Sequence, residues 1–446
     1  MREAMTKETK PSQVDESPKQ GGEARNRYFW AEPAVWTDRM LAALEQGVKG
    51  NKWYSLIDKV YRRSNLEASF KKVKRNRGAA GVDHVTVEQF EERMAENLNR
   101  LEEGLRRDTY QPQQIRRKEI RKPGSKEGRT LMISTIRDRV VQGALKNVLE
   151  PIFEKQFSKC SYGFRPGRGC KHALGRVDSL LKAGYIWVVD ADIKRCFDMI
   201  PHDRLMECLR EEIADGKVLA LIESFLKQGI LSRLDNWGPE RGTPQGAVIS
   251  PLLANLYLNP LDHYMAGMGF KMTRYADDFV IQCRSEDEAR HALTLVEKWL
   301  KDAGLVLNPE KTRIIDASQS GGFDFLGYHF ERGYRWPSEK SLKKYRDSIR
   351  SKTRRCNGYS IRKIIKSTNQ TSKGWFEYFK HSHYTAFPQI DSWVRMRLRS
   401  ILRKRDHGRG RGRGVDNRKW PNVYFRDLGL FSMVAAHASA CQSSLR

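Results

Sequence analysis

Two adjacent acids carry the strongest chemical signal in this chain of 446 residues. Asp277 and Asp278 lie between β-prone runs at 270–275 and 279–281, so the sequence predicts a hairpin whose tip presents both carboxylates. Mg²⁺ takes oxygen ligands and keeps water positions for substrate phosphates. Paired carboxylates at a hairpin tip therefore favour a magnesium site, and two solvated surface acids are the simpler alternative.

A second pair of acids occurs in an apolar run upstream. Residues 187–193 read Trp-Val-Val-Asp-Ala-Asp-Ile, which predicts a β-strand with Asp190 and Asp192 on one face. A carboxylate near a core is costly unless a cation or a hydrogen-bond donor compensates its charge. Both a metal ion and basic side chains would meet that need, and the pattern favours the metal. In-line nucleotidyl transfer usually uses two ions, at the attacking and leaving oxygens.

The charge balance indicates a polyanionic partner. The chain has 82 Lys and Arg against 54 Asp and Glu, which gives a formal net charge of +28. A surface this basic attracts nucleic acid, and 39% hydrophobic residues are enough for more than one hydrophobic core.

The remaining composition narrows the setting. The seven cysteines include no Cys-x-x-Cys pair, so neither a zinc site nor a disulfide framework is expected, and a reducing compartment fits. No run of about 18 apolar residues occurs, so we expect no membrane partner and a cytoplasmic location.

A basic helix is predicted near residue 64. Residues 64–67, Ser-Asn-Leu-Glu, have the capping-box pattern, and the helix that follows would bury Phe70 and Val73. Its other side is cationic, which is consistent both with simple solvation and with phosphate contact. The RNA-binding candidates on this helix are Lys71, Lys72, Lys74, Arg75 and Arg77.

A second basic region follows residue 336. Residues 339–366 predict one long amphipathic helix with Leu342, Tyr345, Ile349 and Cys356 as its apolar stripe, and residues 390–402 predict another. The RNA-binding candidates here, expected to share one helical face, are Lys343, Arg346, Arg350 and Arg354.

Several glycine-containing segments could approach a nucleotide or a strand backbone closely. Residues 77–83 form a small-residue loop, and 120–129 predict a β-hairpin with a basic turn that could grip a triphosphate. Residues 161–169 mix aromatic residues, glycines and arginines in a way suited to packing against a strand's backbone and bases. Residues 242–251 form a tight loop before an apolar helix, and Gln245 is the long polar side chain of its Pro-Gln-Gly.

The order of these motifs resembles that of the reverse transcriptases encoded by group II introns, also called intron maturases. The layout is most similar to bacterial class C members, which lack an endonuclease domain. Gly374-Trp375-Phe376-Glu377-Tyr378-Phe379 looks like a thumb element of that family. The collinear motifs are the loop at 77–83, the block at 121–138, Ser161-Tyr162-Gly163-Phe164-Arg165-Pro166, the Asp192 strand, Thr243-Pro244-Gln245-Gly246, Tyr275-Ala276-Asp277-Asp278, Leu307-Asn308-Pro309-Glu310-Lys311-Thr312 and Phe325-Leu326-Gly327-Tyr328.

The resemblance implies an α+β fold of the right-hand polymerase type, with fingers, a palm built on an antiparallel sheet, and a helical thumb. It also implies an RNA-directed DNA polymerase, in which a 3′-OH attacks the α-phosphate of a dNTP. Asp192, Asp277 and Asp278 would hold two Mg²⁺ ions, with Asp190 as the alternative ligand.

The resemblance assigns further residues to the nucleotide. Lys122 and Arg129 would clamp the triphosphate, Gln245 would touch the nucleotide, and Lys311 would help hold phosphate. Phe197 would exclude a ribose 2′-OH, or is an ordinary core phenylalanine. The chain departs from the family pattern at Arg121, Thr130, Met132 and Ala247, which bears on template grip and fidelity.

The predicted domains are a disordered tail at 1–30, an N-terminal helical extension with the start of the fingers at 31–110, and interleaved fingers and palm at 111–335. A helical thumb or maturase domain at 336–405 and a basic Gly/Arg linker with a C-terminal segment at 406–446 complete the chain.

The implied partners are group II intron RNA, an RNA template, a DNA primer or target, and dNTPs. The implied function is to assist splicing and to copy the intron into DNA during retrohoming. Two alternatives stay open, a free-standing reverse transcriptase in phage defence or spacer capture, and a splicing-only RNA-binding maturase.

Overall fold

A computed structural model describes residues 20–121, 128–228, 230–231, 236–237, 241–244, 246–410 and 414–443. The helices are α1 Gln20–Arg27, α2 Asp38–Gln46, α3 Ile57–Tyr61, α4 Arg63–Asn76, α5 Val87–Glu92, α6 Met94–Arg106, α7 Ile136–Glu154, α8 Cys170–Lys182, α9 Cys196–Met199, α10 His202–Glu212, α11 Gly216–Leu226, α12 Ser250–Gly267, α13 Glu286–Asp302, α14 Glu339–Lys352, α15 Ile361–Phe379, α16 Ala386–Arg405, α17 Gly414–Lys419, α18 Asn422–Asp427 and α19 Met433–Ser443. The strands are β1 Ile115–Arg121, β2 Gly128–Ile133, β3 Trp187–Asp192, β4 Ile230–Leu231, β5 Asn236–Trp237, β6 Lys271–Tyr275, β7 Asp278–Cys283, β8 Arg313–Asp316, β9 Phe323–Phe325, β10 Tyr328–Glu331 and β11 Tyr334–Pro337.

The chain divides into two compact units, each assembled from separate stretches of sequence. The first unit comprises residues 1–118, 130–157 and 201–256, and the second comprises 119–129, 158–200 and 257–446. The domain limits drawn from the sequence stay predictions.

Helix α7 is the buried centre of the first unit. Helix α4 packs closely against it, because Gly143 leaves room for Ser69, whose hydroxyl donates to the Val140 carbonyl at 2.7 Å. Asn65 adds a bond from its amide to the Ala144 carbonyl at 3.1 Å. Phe70 and Val73 are buried, as the sequence predicts.

The capping box expected at residues 64–67 is wrong. Helix α4 already begins at Arg63, and its cap, Arg62, makes no side-chain capping bond. Asn65 instead turns inward, where its amide group also bonds to the Lys59 carbonyl at 2.9 Å. At the junction between α3 and α4, the Asn65 side chain therefore makes tertiary hydrogen bonds and does not cap the helix.

The N-terminal tail is ordered further upstream than its composition suggests. Residues 20–27 form α1, although the sequence predicts disorder to residue 30. Ala24 is buried, and Arg25 donates to Asp38 at 3.0 Å and to the Trp36 carbonyl at 2.7 Å. Contacts with α2 thus stabilise a helix whose own sequence is polar, and residues 1–19 lie outside the described part of the chain.

The basic hairpin expected at 120–129 is present as strands β1 and β2, which are neighbours in the sheet order β2-β1-β4-β5. Its tip, residues 122–127, lies outside the described residues.

An antiparallel sheet in the order β6-β7-β3-β8 organises the second unit. Strand β3 pairs with β7 from Trp187 opposite Cys283 to Asp192 opposite Asp278. Val188 and Val280 pack into a core with Ala173 and Val177 of α8. The predicted acidic strand and the predicted hairpin are therefore adjacent strands of one sheet.

The Phe-Leu-Gly-Tyr motif at 325–328 is the turn between β9 and β10. It is bonded to α15 in both directions, because the Tyr328 hydroxyl donates to the Tyr378 carbonyl at 2.5 Å and the Tyr378 hydroxyl donates to the Leu326 carbonyl at 2.8 Å. The Gly-Trp-x-x-Tyr-Phe element and this turn thus form a single contact within the second unit.

The long helix expected at 339–366 is wrong, because two helices, α14 and α15, occupy that stretch. Helix α14 ends before Thr353, and Ser360 caps α15 by accepting a hydrogen bond from the Lys363 amide. Tyr345 and Ile349 are buried as predicted, whereas Cys356 lies in the exposed connection.

The hydrophobic core of α14–α16 continues beyond residue 405. Phe425 and Met433 are buried in the same cluster as Leu398. Arg399, which the sequence pattern places on a polar face, is buried and donates to the Trp420 carbonyl at 2.9 Å and to Asn422 at 2.7 Å. The C-terminal segment is therefore part of this helical core.

A buried ion pair lies beneath the β6–β7 hairpin. Arg274 on β6 and Asp262 on α12 are both 0% exposed, and their two hydrogen bonds measure 2.7 and 2.5 Å. A third guanidinium bond reaches the Ala276 carbonyl at 2.9 Å. Such a pair needs all of its partners, because either charge left alone inside the protein is strongly destabilising.

We expect Asp262→Ala to lower the free energy of unfolding by about 3–5 kcal/mol, since it leaves the Arg274 guanidinium buried without a counter-charge. Urea unfolding of the purified protein measures the change. Glu286→Ala is the control, because it breaks an exposed i,i+4 pair with Arg290, a kind of pair usually worth about 0.3–0.5 kcal/mol. Equal unfolding midpoints for the two variants would contradict this account.

Candidate active site

Three of the predicted metal ligands lie where β3 ends and β7 begins. Asp192 is directly opposite Asp278 across the antiparallel pair, and Asp277 occupies the adjoining turn. Side chains directly opposite on neighbouring strands have Cβ atoms about 4.5–5.5 Å apart. The register of two strands therefore places the carboxylates of distant sequence segments side by side.

The electrostatics of Asp278 show how concentrated the negative charge is. Burial, followed by the charges of Asp190, Asp277 and Asp192, raises the pKa of Asp278 to about 7, and Lys311 offsets only part of this. Burial and the neighbouring carboxylates together therefore outweigh Lys311 in setting the pKa of Asp278.

The turn that presents Asp277 has an unusual backbone. Tyr275 pairs with Asp278 across it, and Ala276 has a φ of 60°. A residue with a Cβ is uncommon in this left-handed region, and such strain persists where surrounding contacts fix the conformation. The hydrogen bond from Arg274 to the Ala276 carbonyl supplies one of those contacts.

The Ser-Tyr-Gly-Phe-Arg-Pro motif supplies the others. A Cβ on Gly163 would stand 2.4 Å from the Ala276 nitrogen, and the Tyr162 amide donates to the Arg274 carbonyl at 2.9 Å. The glycine of this motif packs on the backbone of the acidic turn, and the expected packing of the motif on a nucleic-acid strand stays a prediction. Phe164, beside Tyr275 at a ring separation of 6.3 Å, is exposed.

Lys311 and Asn308 both contact Asp192. The Lys311 ammonium donates to a carboxylate oxygen at 2.7 Å, and this bond raises the pKa of Lys311. Asn308 donates to the same oxygen at 3.5 Å, and its backbone amide donates to the Asp192 carbonyl at 2.8 Å. The Leu-Asn-Pro-Glu-Lys-Thr motif therefore brings a cation to the acids, although the sequence assigned Lys311 to phosphate.

Asp190 has a separate partner. Arg313 on the neighbouring strand β8 donates to its carboxylate at 3.2 Å, while burial raises the pKa of Asp190. Sequence reasoning missed Arg313, which lies next to the Lys311 motif but carries no signal that it faces Asp190. Asp190 and Asp192 therefore each have a basic partner.

The described residues contain no group of three or more His, Cys, Asp or Glu side chains arranged to hold a metal ion. Lys311 occupies one Asp192 oxygen, and Arg313 occupies one Asp190 oxygen. The donor chemistry nevertheless fits Mg²⁺, because Asp192 and Asp278 are opposite each other, Asp277 adjoins Asp278, and carboxylate oxygens are the ligands that Mg²⁺ prefers.

Of the other nucleotide-binding candidates, the structure describes Phe197 fully and Arg129 in part. Phe197 lies on α9, just after β3, and is only half-buried, so it is not a fully enclosed core residue. Arg129 belongs to β2, but its side chain lies outside the described residues, as do Lys122 and Gln245 entirely.

The backbone next to Gln245 passes close to strand β2. Gly246 has a φ of 111°, and a Cβ there would stand 2.8 Å from the Met132 carbonyl oxygen. Ala247 is buried, so its added methyl group packs inside the first unit.

The RNA-binding candidates on α4 differ in how far they are free. Lys72 bonds to Glu32 at 3.0 Å and to Asn147 at 2.8 Å, and Lys74 pairs with Glu91. Lys71, Arg75 and Arg77 are exposed.

The candidates of the thumb region do not share one helical face. Lys343, Arg346 and Arg350 lie on α14, but Arg354 lies beyond its end, so that expectation is wrong for Arg354. Arg350 pairs with Asp347 at 2.6 Å and lies 5.8 Å from the Trp393 ring.

All seven cysteines are free thiols, as expected from their spacing. Within the ranges that the structure describes, no helix is long and apolar enough to span a bilayer.

Two family models match adjacent parts of the chain. Residues 120–330 match Reverse transcriptase (RNA-dependent DNA polymerase), and residues 342–420 match Group II intron, maturase-specific domain. The first match contains the acidic strand, the acidic turn and the Lys311 motif, and the second contains α15 and α16.

Curated relatives agree. The chain is 40% identical over 204 residues to group II intron-encoded protein LtrA of Lactococcus lactis subsp. cremoris, covering 45% of this chain and 33% of LtrA. It is 33% identical over 294 residues to protein YkfC of Escherichia coli K12, covering 56% and 76%. Nuclear intron maturase 1, mitochondrial, of Arabidopsis thaliana is 30% identical over 264 residues, covering 48% and 35%.

The matched part of this chain spans about a third of the length of LtrA and about three quarters of YkfC. The antiparallel sheet with its flanking helices and the reverse transcriptase match confirm the predicted α+β, right-hand polymerase fold. With two adjacent family models and YkfC in agreement, the chain belongs to the group II intron-encoded reverse transcriptase and maturase family.

Proposed function

We propose that this protein is an RNA-directed DNA polymerase encoded by a group II intron, and that it binds the intron RNA to assist splicing and to copy it during retrohoming. The observation that carries the proposal is that Asp192, Asp277 and Asp278 lie together at one end of the two central strands of the sheet. A clamped turn and a two-strand register fix these acids before any substrate arrives.

The three acids would hold two Mg²⁺ ions through carboxylate oxygens. When bound, such ions stabilise the charge on the attacking and leaving oxygens of an in-line displacement. With ions held there, Lys311 would give up its bond to Asp192, and its ammonium would then be available to a phosphate oxygen. That exchange reconciles its contact with Asp192 and the phosphate role that the family resemblance implies.

The sugar and triphosphate contacts complete the proposal. Phe197 borders the sugar and excludes a 2′-OH, which its half-exposed position supports. Lys122 and Arg129 grip the triphosphate, and Gln245 touches the incoming nucleotide, on the strength of the family resemblance.

The intron RNA is the proposed partner of the basic helices, with an RNA template and a DNA primer in the polymerase reaction. The maturase-specific match at 342–420 favours this function over a free-standing reverse transcriptase in phage defence or spacer capture. The acids at 192, 277 and 278 favour it over a splicing-only maturase, because a protein that only bound RNA would have no use for a carboxylate cluster in which burial and neighbouring negative charges raise the pKa of Asp278.

We expect Asp277→Ala to reduce primer extension at least about a thousandfold, since one lost ligand costs several kcal/mol of transition-state stabilisation. Extension of a DNA primer on an RNA template with dNTPs and Mg²⁺ measures it. Asp287→Ala, at an exposed position on α13, is the charge-matched control and should extend normally. Near-normal extension by Asp277→Ala would reject the catalytic assignment.

We expect Phe197→Ala to raise the incorporation of rNTPs relative to dNTPs, because it opens space for the ribose hydroxyl. Most dNTP activity should remain. The rNTP/dNTP ratio is measured beside a thermal unfolding curve. A residue that acted only in the core would leave the ratio unchanged and lower stability by about 3–5 kcal/mol, and that result would refute the sugar contact.

A further inference from the structure

A basic cavity of about 260 Å³ lies on α15, among side chains that the polymerase proposal does not use. Three cations and one amide follow one face of the helix, and the end of α18 closes the opposite side. Its lining includes Arg362, Lys366, Gln370 and Lys373, with Asn369 and Leu428.

The side of the cavity formed by Leu428 is held in place by hydrogen bonds to the backbone that follows it. Asn369 donates to the Gly429 carbonyl at 2.7 Å and accepts from the Phe431 amide at 2.8 Å. Gly429 has a φ of 80°, and its amide donates to the Arg426 carbonyl, which ends α18 in a left-handed turn. The cavity is therefore a built feature with a rigid rim.

The cations around the cavity lack counter-charges. In the part of the chain that the structure describes, no carboxylate forms an ion pair with Arg362, Lys366 or Lys373, whereas Lys182 and Arg290 on other helices each pair with an acid one turn away. Arg362 and Lys366 are four residues apart, a spacing at which like charges destabilise a helix. A bound anion would remove that repulsion.

The rest of the cavity suits a flat, partly apolar group. Leu428, which is half-buried, supplies apolar contact, and the exposed Gln370 amide can donate and accept at the edge of a ring. Pockets for drug-sized ligands begin at about 300 Å³, so a cavity slightly smaller than this suits a single base.

We propose that this cavity captures one unpaired nucleotide of a structured RNA. Leu428 contacts the base, Gln370 bonds to its edge, and Arg362, Lys366 and Lys373 meet the flanking phosphates. The inference rests on the proposed RNA partner and assigns to it a site separate from the acids and from the α4 and α14 candidates.

The test uses two RNA hairpins that differ by a single bulged adenosine, with binding followed by fluorescence anisotropy at several salt concentrations. The unaltered protein should bind the bulged hairpin roughly tenfold tighter, the order of effect that contact with one base produces. Gln370→Ala should abolish most of that preference and leave the salt dependence unchanged, because it removes a neutral group.

Charge removal gives a different signature. Lys366→Ala with Lys373→Ala should weaken binding of the bulged hairpin and reduce the slope of log K against log salt by about 1.4, since about 0.7 counterions are released per phosphate of a single strand. Lys298→Ala with Lys301→Ala, two exposed lysines of α13, is the matched control and should leave the slope unchanged.

Equal binding of both hairpins by the unaltered protein would overturn the inference. A preserved preference in Gln370→Ala, or an equal loss of slope in the α13 control, would also overturn it. Asp277→Ala should keep the bulge preference while losing primer extension. An unaltered protein that preferred the bulge but never extended a primer would therefore reject the polymerase proposal alone.

Discussion

The ion pair between Arg274 and Asp262 is the constraint on which the acidic site depends. Both side chains are fully buried, so neither charge can be satisfied by water. The guanidinium donates two hydrogen bonds to Asp262 and one to the Ala276 carbonyl. These bonds link α12 to the turn that carries Asp277. Gly163 closes the other side of that turn at a distance that admits no side chain. The left-handed Ala276 is thereby held between two rigid contacts.

This arrangement places four carboxylates near one another and leaves the chain to manage their repulsion. Arg313 neutralises Asp190 and Lys311 contacts Asp192, but the pKa of Asp278 stays raised to about 7. The two cations differ in exposure and position. Lys311 is the more exposed of the two and lies in the turn before β8, so we propose that it is the cation that gives way to a metal ion.

The local parts of this site are readable from the sequence. Alternation at 187–193 predicts β3, and two β-prone runs around Asp277 predict the hairpin, because both signals arise from neighbouring residues. Asp262 carries no such signal, since its partner lies on another element and its helix is apolar. Arg313 was missed for the same reason, because the β3–β8 register that pairs it with Asp190 is a tertiary property.

The wrong predictions for the helical regions have a related physical cause. The periodic apolar pattern continues through residue 356, yet α14 ends before Thr353 and the next helix begins after Ser360. Arg354 therefore does not lie on the helical face predicted for it. Local composition predicts a disordered segment at 20–27 and a capping box at 64–67, but contacts with α2 order the first, and Asn65 of the second bonds to α7. Tertiary contacts, which no short pattern encodes, account for these differences.

The most direct test of the account is anomalous X-ray scattering from crystals of the protein soaked in Mn²⁺. The account predicts two manganese peaks about 3.5–4 Å apart, bound by the carboxylates of Asp192, Asp277 and Asp278. The Lys311 ammonium should have left Asp192, while Arg274 still bonds to Asp262 and to the Ala276 carbonyl. Crystals with no manganese at these acids, or with manganese at Asp190 and Lys311 still bonded to Asp192, would contradict it.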